Sequence, residues 1–128
     1  MLKDELLKIF LKGIQEFNKR NYYDSHEYFE EIWTNHVLDD RLFVQGLIQL
    51  SVAYFHISND NKNGAISLFK KSIKKLDNYI DCDMLILNIN DVIKAAYDSH
   101  AHLCSINNMH KFNWELAPKL KFNDLMNK

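Results

Sequence analysis

The 128-residue chain carries 16 basic and 17 acidic residues, a formal net charge of −1, and 47% hydrophobic residues. This is the profile of an ordinary globular protein long enough to bury its own core, and the near-neutral balance excludes the basic footprint of a general nucleic-acid binder. Three glycines and one proline exclude a many-turned β-sandwich, a collagen-like chain or a long linker.

The opening Met1-Leu2-Lys3-Asp4-Glu5 meets acidic charge at once and lacks the apolar stretch of a signal peptide. A soluble, intracellular protein is therefore expected, with Cys82 and Cys104 reduced and mostly buried. Leu6, Leu7, Phe10, Leu11, Ile14 and Phe17 recur at helical steps and predict a first helix over residues 2–18. Asn18-Lys19-Arg20-Asn21 reads as a turn, and a second helix follows over 22–37. Asp39 and Asp40 are placed to cap a third helix over 40–57. The polar run 59–63 then leads into a fourth helix from Gly64 to Tyr79. Asp81-Cys82-Asp83 marks a break, a fifth helix spans 88–106, and the tail beyond Asn107 is irregular. No run approaches the ~18 apolar residues of a membrane span; the nearest, Leu47 to Phe55, is interrupted by Gln49 and Ser51. The expected fold is all-α, one domain over 1–128, a compact bundle or array of about five antiparallel helices. A faint echo, residues 21–29 laid over 60–68 at an offset of 39, gives it a weakly tetratricopeptide-like cast and sets His26 against Ala65. In that register His26 takes a crowded, buried place.

The informative stretch is His26-Glu27-x-x-Glu30-x-x-Trp33, then Arg41, Gln45-Gly46-Leu47-Ile48-Gln49 and His56. His26, Glu30 and Trp33 fall within roughly 60° on one helix face, beside Tyr22, Phe29 and Val37, with Glu27 and Glu31 toward the rim. On the third helix Arg41, Gln45, Gln49, Val52 and His56 share a sector of an otherwise apolar surface. Buried polar groups cost about 1–3 kcal/mol for each orphan, so the two lines are expected to face each other. In an antiparallel hairpin Glu30 meets Gln45 to Gln49, His26 meets Gln49 to Val52, and Trp33 nears Arg41 to Gln45. Gly46 would let the helices approach, and Glu30 is expected to be largely buried and bonded from the third helix.

The string H-E-x-x-E-x-x-W (His26 to Trp33), then Arg41, Q-G-L-I-Q (Gln45 to Gln49), A-x-x-H (Ala53, His56) and N-x-x-G-A (Asn61, Gly64, Ala65) resembles the helical family named domain of unknown function 309. The likeness covers about Phe10 to Leu76, and Ser25 stands where the family leads one to expect alanine. It implies an all-helical fold, with no established activity, in a family of bacteria, archaea and plastids. A bacterial cytoplasm or a plastid stroma is the implied location. Asn and Lys, 14 each, against two Arg follow AT-rich codons and suit either.

The sharper alternative is a metal-dependent hydrolase-like enzyme. His26 and Glu30 at i, i+4 would chelate an ion, with Glu27 or His56 completing the set. Glu30 stands where the zinc-protease motif has its second histidine. His56 also lies about 7–8 Å further along the axis, which with an 8–10 Å interaxial gap leaves the backbones roughly 11–12 Å apart. A structural polar network is the favoured reading, no cofactor is expected, and no glycine-rich phosphate loop exists. His100 and His102 point apart on their helix, and Cys104 reads as a buried thiol without a base partner. Lys70, Lys71, Lys74 and Lys75 form a basic strip able to meet an acidic partner or an RNA backbone. The favoured function is a protein-interaction or assembly module, with Tyr28 and Trp114 as exposed anchors and a homodimer as its simplest form.

Overall fold

The structure, a computed structural model, describes residues 2–35 and 40–123. Among them are five α-helices: α1 Leu2–Asn18, α2 Tyr22–Asn35, α3 Arg41–Ser58, α4 Lys62–Leu76 and α5 Ile89–Ser105. The fold is all-α. The fourth helix starts two residues before Gly64, because Asn61 caps it: its side-chain oxygen accepts from the Gly64 amide at 3.0 Å. It ends at Leu76, and Asp77–Tyr79 tightens into a separate 3-10 turn. Asp40 precedes α3 without a side-chain capping bond, while Val37 and Asp39 lie outside the described residues.

Each helix lies antiparallel to the next, and the register is carried by a repeated turn. Arg20 and Asp60 both take left-handed backbone, with φ of 66° and 58°, and each donates its amide three residues back, to Phe17 and Ile57. Asn21 and Asn61 then accept from the amides of Ser25 and Ala65. α1–α2 and α3–α4 are thus one hairpin used twice, at an offset of 40 rather than 39. The small residue opposite Ala65 is Ser25, both fully buried, and Phe29 opposes Phe69, also both fully buried. His26 lies one position round the helix and is half-exposed, so the expected crowding falls on Ser25 instead.

One cluster of buried side chains draws on all five helices and on Met109, Phe112 and Leu120 of the tail. Tyr54 is its largest fully buried member, stacked on Tyr22 at 5.2 Å and edge-on to Phe69 at 5.0 Å. The tail is irregular in backbone yet firmly attached. The Asn18 side chain bonds both the carbonyl and the amide of Leu120, Asn88 bonds Lys119 and Lys121, and Ile86 bridges Phe122. His102 accepts from the Asn113 amide at 3.0 Å. Trp114, expected as an exposed anchor, is half-buried and stacked on Tyr22 at 6.0 Å. Tyr28 is also half-buried, with the Lys12 ammonium 5.9 Å from its ring centre. The expected burial of the thiols fails as well: Cys82 sits in an exposed turn, and Cys104 lies one position off the buried line of Ala96, Ser99 and Leu103. No described helix is long and apolar enough to cross a membrane.

Candidate functional site

The motif residues sort into three local structures. At one end of α2 and α3, the Arg41 guanidinium lies 4.2 Å from the Trp33 ring centre, a close cation–π contact. At the other end, Asn61 donates from Nδ2 to His56 Nδ1 at 3.3 Å while capping α4. Gly64 makes room for this arrangement, since a Cβ there would come within 2.6 Å of Asn61 Nδ2 and 3.0 Å of His56 Cδ2. Ala53 and Ala65, both fully buried, complete the α3–α4 crossing. A-x-x-H and N-x-x-G-A are therefore two halves of one helix junction.

Along the α2–α3 seam the expected ladder of long polar side chains is absent among the described residues. Glu30 is half-buried and Glu27 exposed, and neither makes a hydrogen bond or ion pair there; the Arg41 guanidinium goes to Trp33. Gln45 and Gln49 are half-buried, and the Gln49 side-chain carbonyl is buried without a partner. The polar contact that crosses this seam is between short side chains, Ser25 Oγ standing 3.5 Å from Ser51 Oγ, while Ser25 Oγ donates across the α1–α2 seam to the Gly13 carbonyl at 2.8 Å. Ser51 in turn donates to the Leu47 carbonyl four residues back. Gly46 serves the other seam. Its carbonyl accepts from Ser72 at 2.8 Å, and a Cβ would meet Leu76 at 2.7 Å, so it seats α4 rather than α2.

The metal reading loses its geometry on the same face. His26 turns to its own helix: its Nδ1 sits 3.0 Å from the Tyr23 carbonyl and its ring packs on Tyr23. Tyr23 packs on Phe55, and Phe55 on His56, so two aromatic rings separate the imidazoles. Among the described residues no three His, Cys, Asp or Glu side chains converge as a metal site.

A surface groove beside the basic strip lies between α4 and α5. Two adjoining hollows of about 360 and 450 Å³ share Tyr97. Ile73 and Ile93 line the floor, with Ile80 and Tyr97 each 48% exposed beside them. Lys70, Lys74 and Lys94 stand on the edges. Lys94 pairs with Asp98 at 2.8 Å, and Tyr97 donates to Asp77 at 2.6 Å. The four strip lysines make no ion pair among the described residues. Their charges press on one another: burial, then repulsion from Lys71 and Lys74, lowers the Lys75 ammonium below its usual range. Burial and the Lys70 charge likewise hold the His100 imidazole low. His100 Nε2 is 4.0 Å from Cys104 Sγ, a partner that spacing along one helix, i to i+4, would have revealed. The groove itself was invisible because Ile80 and Tyr97 lie on different elements.

Fold and surface together define a small all-helical protein built on a duplicated hairpin, closed by a fifth helix and a packed tail. Residues 10–68 match the family described as Domain of unknown function (DUF309). The matched segment is a little under half of the chain and ends before the second half of α4. Comparison with curated proteins and with solved structures gave no match.

Proposed function

We propose that the protein is a helical interaction module, acting as one domain of residues 1–128, whose α4–α5 groove takes an acidic amphipathic segment of a partner protein. The observation that carries this reading is the groove itself: an apolar floor of Ile73, Ile93, Ile80 and Tyr97, edged by Lys70 and Lys74, which make no ion pair among the described residues, with Asp77 between the helices bonded to Tyr97. Apolar side chains at helical spacing on a partner fill such a floor, and carboxylates flanking them neutralise Lys70 and Lys74. The family motifs support the reading from the other side, since their geometry is accounted for by helix junctions. A bacterial cytoplasm or a plastid stroma suits it equally.

The test is fluorescence anisotropy with a labelled, Glu- and Leu-rich amphipathic peptide, its Lys-for-Glu counterpart, and a uridine-rich RNA. The acidic peptide should bind, weakening as salt screens the lysines. The double substitution Lys70→Glu and Lys74→Glu should weaken it about tenfold, a loss of roughly 1.4 kcal/mol, while circular dichroism stays unchanged. Equal binding of both peptides, or preferred binding of RNA, would refute the reading. A dimer by light scattering that is broken by the same double substitution would instead assign the groove to a second copy.

A further inference from the structure

A second cleft, on the end of the molecule where the two repeated turns meet the tail, is built from both repeats at once. Its volume is about 370 Å³, and its walls include Arg20, Tyr22, Ile57, Asp60, Met109 and Trp114. We infer that this cleft binds a small amphoteric molecule of the amino-acid class, its carboxylate toward Arg20, its ammonium toward Asp60, and its apolar body against Ile57, Met109 and Trp114.

Three independent features point there. The first is charge. Arg20 and Asp60 carry opposite charges on one cleft, yet no ion pair joins them among the described residues, and the Asp60 carboxylate accepts no hydrogen bond. The Arg20 guanidinium is positioned by one donor, Nη2 to the Trp114 carbonyl at 3.1 Å, and lies 5.8 Å from that indole. Its remaining donors are free for a carboxylate, which guanidinium binds in a fork. Separated opposite charges of this kind recognise a dipolar ligand and reject a purely anionic or cationic one.

The second is a stranded hydroxyl. Tyr22 is only 3% exposed, and its hydroxyl is buried without a partner. A buried polar group left unmade costs free energy, which an acceptor seated against it returns. Burial pushes this phenol up to about 12, so it is a neutral donor at physiological pH.

The third is positioning. Arg20 and Asp60 occupy the equivalent left-handed site of each turn, φ 66° and 58°. That region is uncommon for residues other than glycine, with aspartate and asparagine entering it more readily than arginine. The duplicated hairpin thus supplies one charge from each copy, and the tail supplies the apolar wall. The volume lies at the small end of the ~300–1,000 Å³ range of ligand pockets, suited to one amino acid and too small for a nucleotide cofactor.

The experiment is isothermal titration calorimetry of the full chain with L-phenylalanine, N-acetyl-L-phenylalanine and L-phenylalaninamide. The free amino acid should bind, and each blocked form, lacking one charge, should bind at least about tenfold more weakly. Asp60→Asn keeps a residue that tolerates left-handed backbone and should weaken the free amino acid by a similar factor with an unchanged circular dichroism spectrum. Lys70→Glu with Lys74→Glu, in the distant groove, should leave it unaltered. Absence of heat up to about 10 mM ligand, far weaker than a small-molecule site of this kind, would overturn the inference. So would equal binding of the blocked forms, or an Asp60→Asn protein that binds as the parent does.

Discussion

Two tyrosines in stacked contact, Tyr22 and Tyr54, have opposite hydrogen-bonding fates. The Tyr54 hydroxyl pairs with Ser99 at 2.8 Å, whereas that of Tyr22 has no partner. Tyr54→Phe strands the Ser99 hydroxyl in the core and should lower stability by about 1–2 kcal/mol. Tyr22→Phe removes an orphan and should leave the melting temperature level or raise it. Denaturant unfolding of the two variants reads the difference directly. The same burial fixes the alkaline limit. Tyr22 is raised from 10.0 to about 12, and Tyr54 is raised further in the same direction. A raised folded value means the unfolded chain ionises first. The contribution is intact below pH 10 and is lost as pH rises toward 12, by about 2 kcal/mol for Tyr22 alone. Tyr22→Phe should flatten stability against pH across that window. Glu30→Ala belongs at this scale too. The sequence places Glu30 on the core face, where a bonded carboxylate would cost ~3–5 kcal/mol to remove. The half-buried, unbonded side chain in the structure predicts a loss within about 0.5 kcal/mol, measured by thermal melting. A severe loss would restore the buried network.

At the scale of helices, periodicity made α1 and α3 legible almost to the residue, because long apolar stripes repeat every three or four positions. The polar seams were not legible. Spacing marks which face a side chain occupies but not how far it reaches, so Glu30 and Gln45 looked buried while the short hydroxyls of Ser25, Ser51 and Ser72 gave no signal of their own. Those hydroxyls bond backbone carbonyls within the helices they join, which lets backbones approach closely without burying a charge. The duplicated register was recoverable: Asn21 with Asn61 and Phe29 with Phe69 are identities at 40 and not at 39. Close approach also sets the cost of added bulk. A Cβ on Gly13 would meet the Phe29 ring at 2.6 Å, and one on Gly46 the Leu76 side chain at 2.7 Å. Gly13→Ala and Gly46→Ala should each destabilise by about 1–3 kcal/mol through overpacking. That exceeds the ~1 kcal/mol that alanine returns in helix propensity. A rise in denaturation midpoint for either would contradict the packing described.

For the whole molecule, the family match ends at residue 68, and the groove and the cleft both depend on residues C-terminal to it. The groove takes Ile93, Lys94 and Tyr97 from α5, and the cleft takes Met109 and Trp114 from the tail. Neither could be read from the motifs, because each joins residues far apart in sequence, Lys70 with His100 and Arg20 with Trp114. In the proposed reading, binding therefore belongs to the surfaces completed by α5 and the tail, and the motif-bearing hairpins hold those surfaces in place. The most direct measurement of that claim is a two-dimensional ¹⁵N–¹H NMR titration of the full chain with the acidic amphipathic peptide. Amide shifts should concentrate at Ile73, Lys74, Ile80, Ile93 and Tyr97, with Tyr23, His26 and Phe55 on the motif face unmoved. Shifts concentrated on the motif face instead, or no shifts at all, would contradict the account.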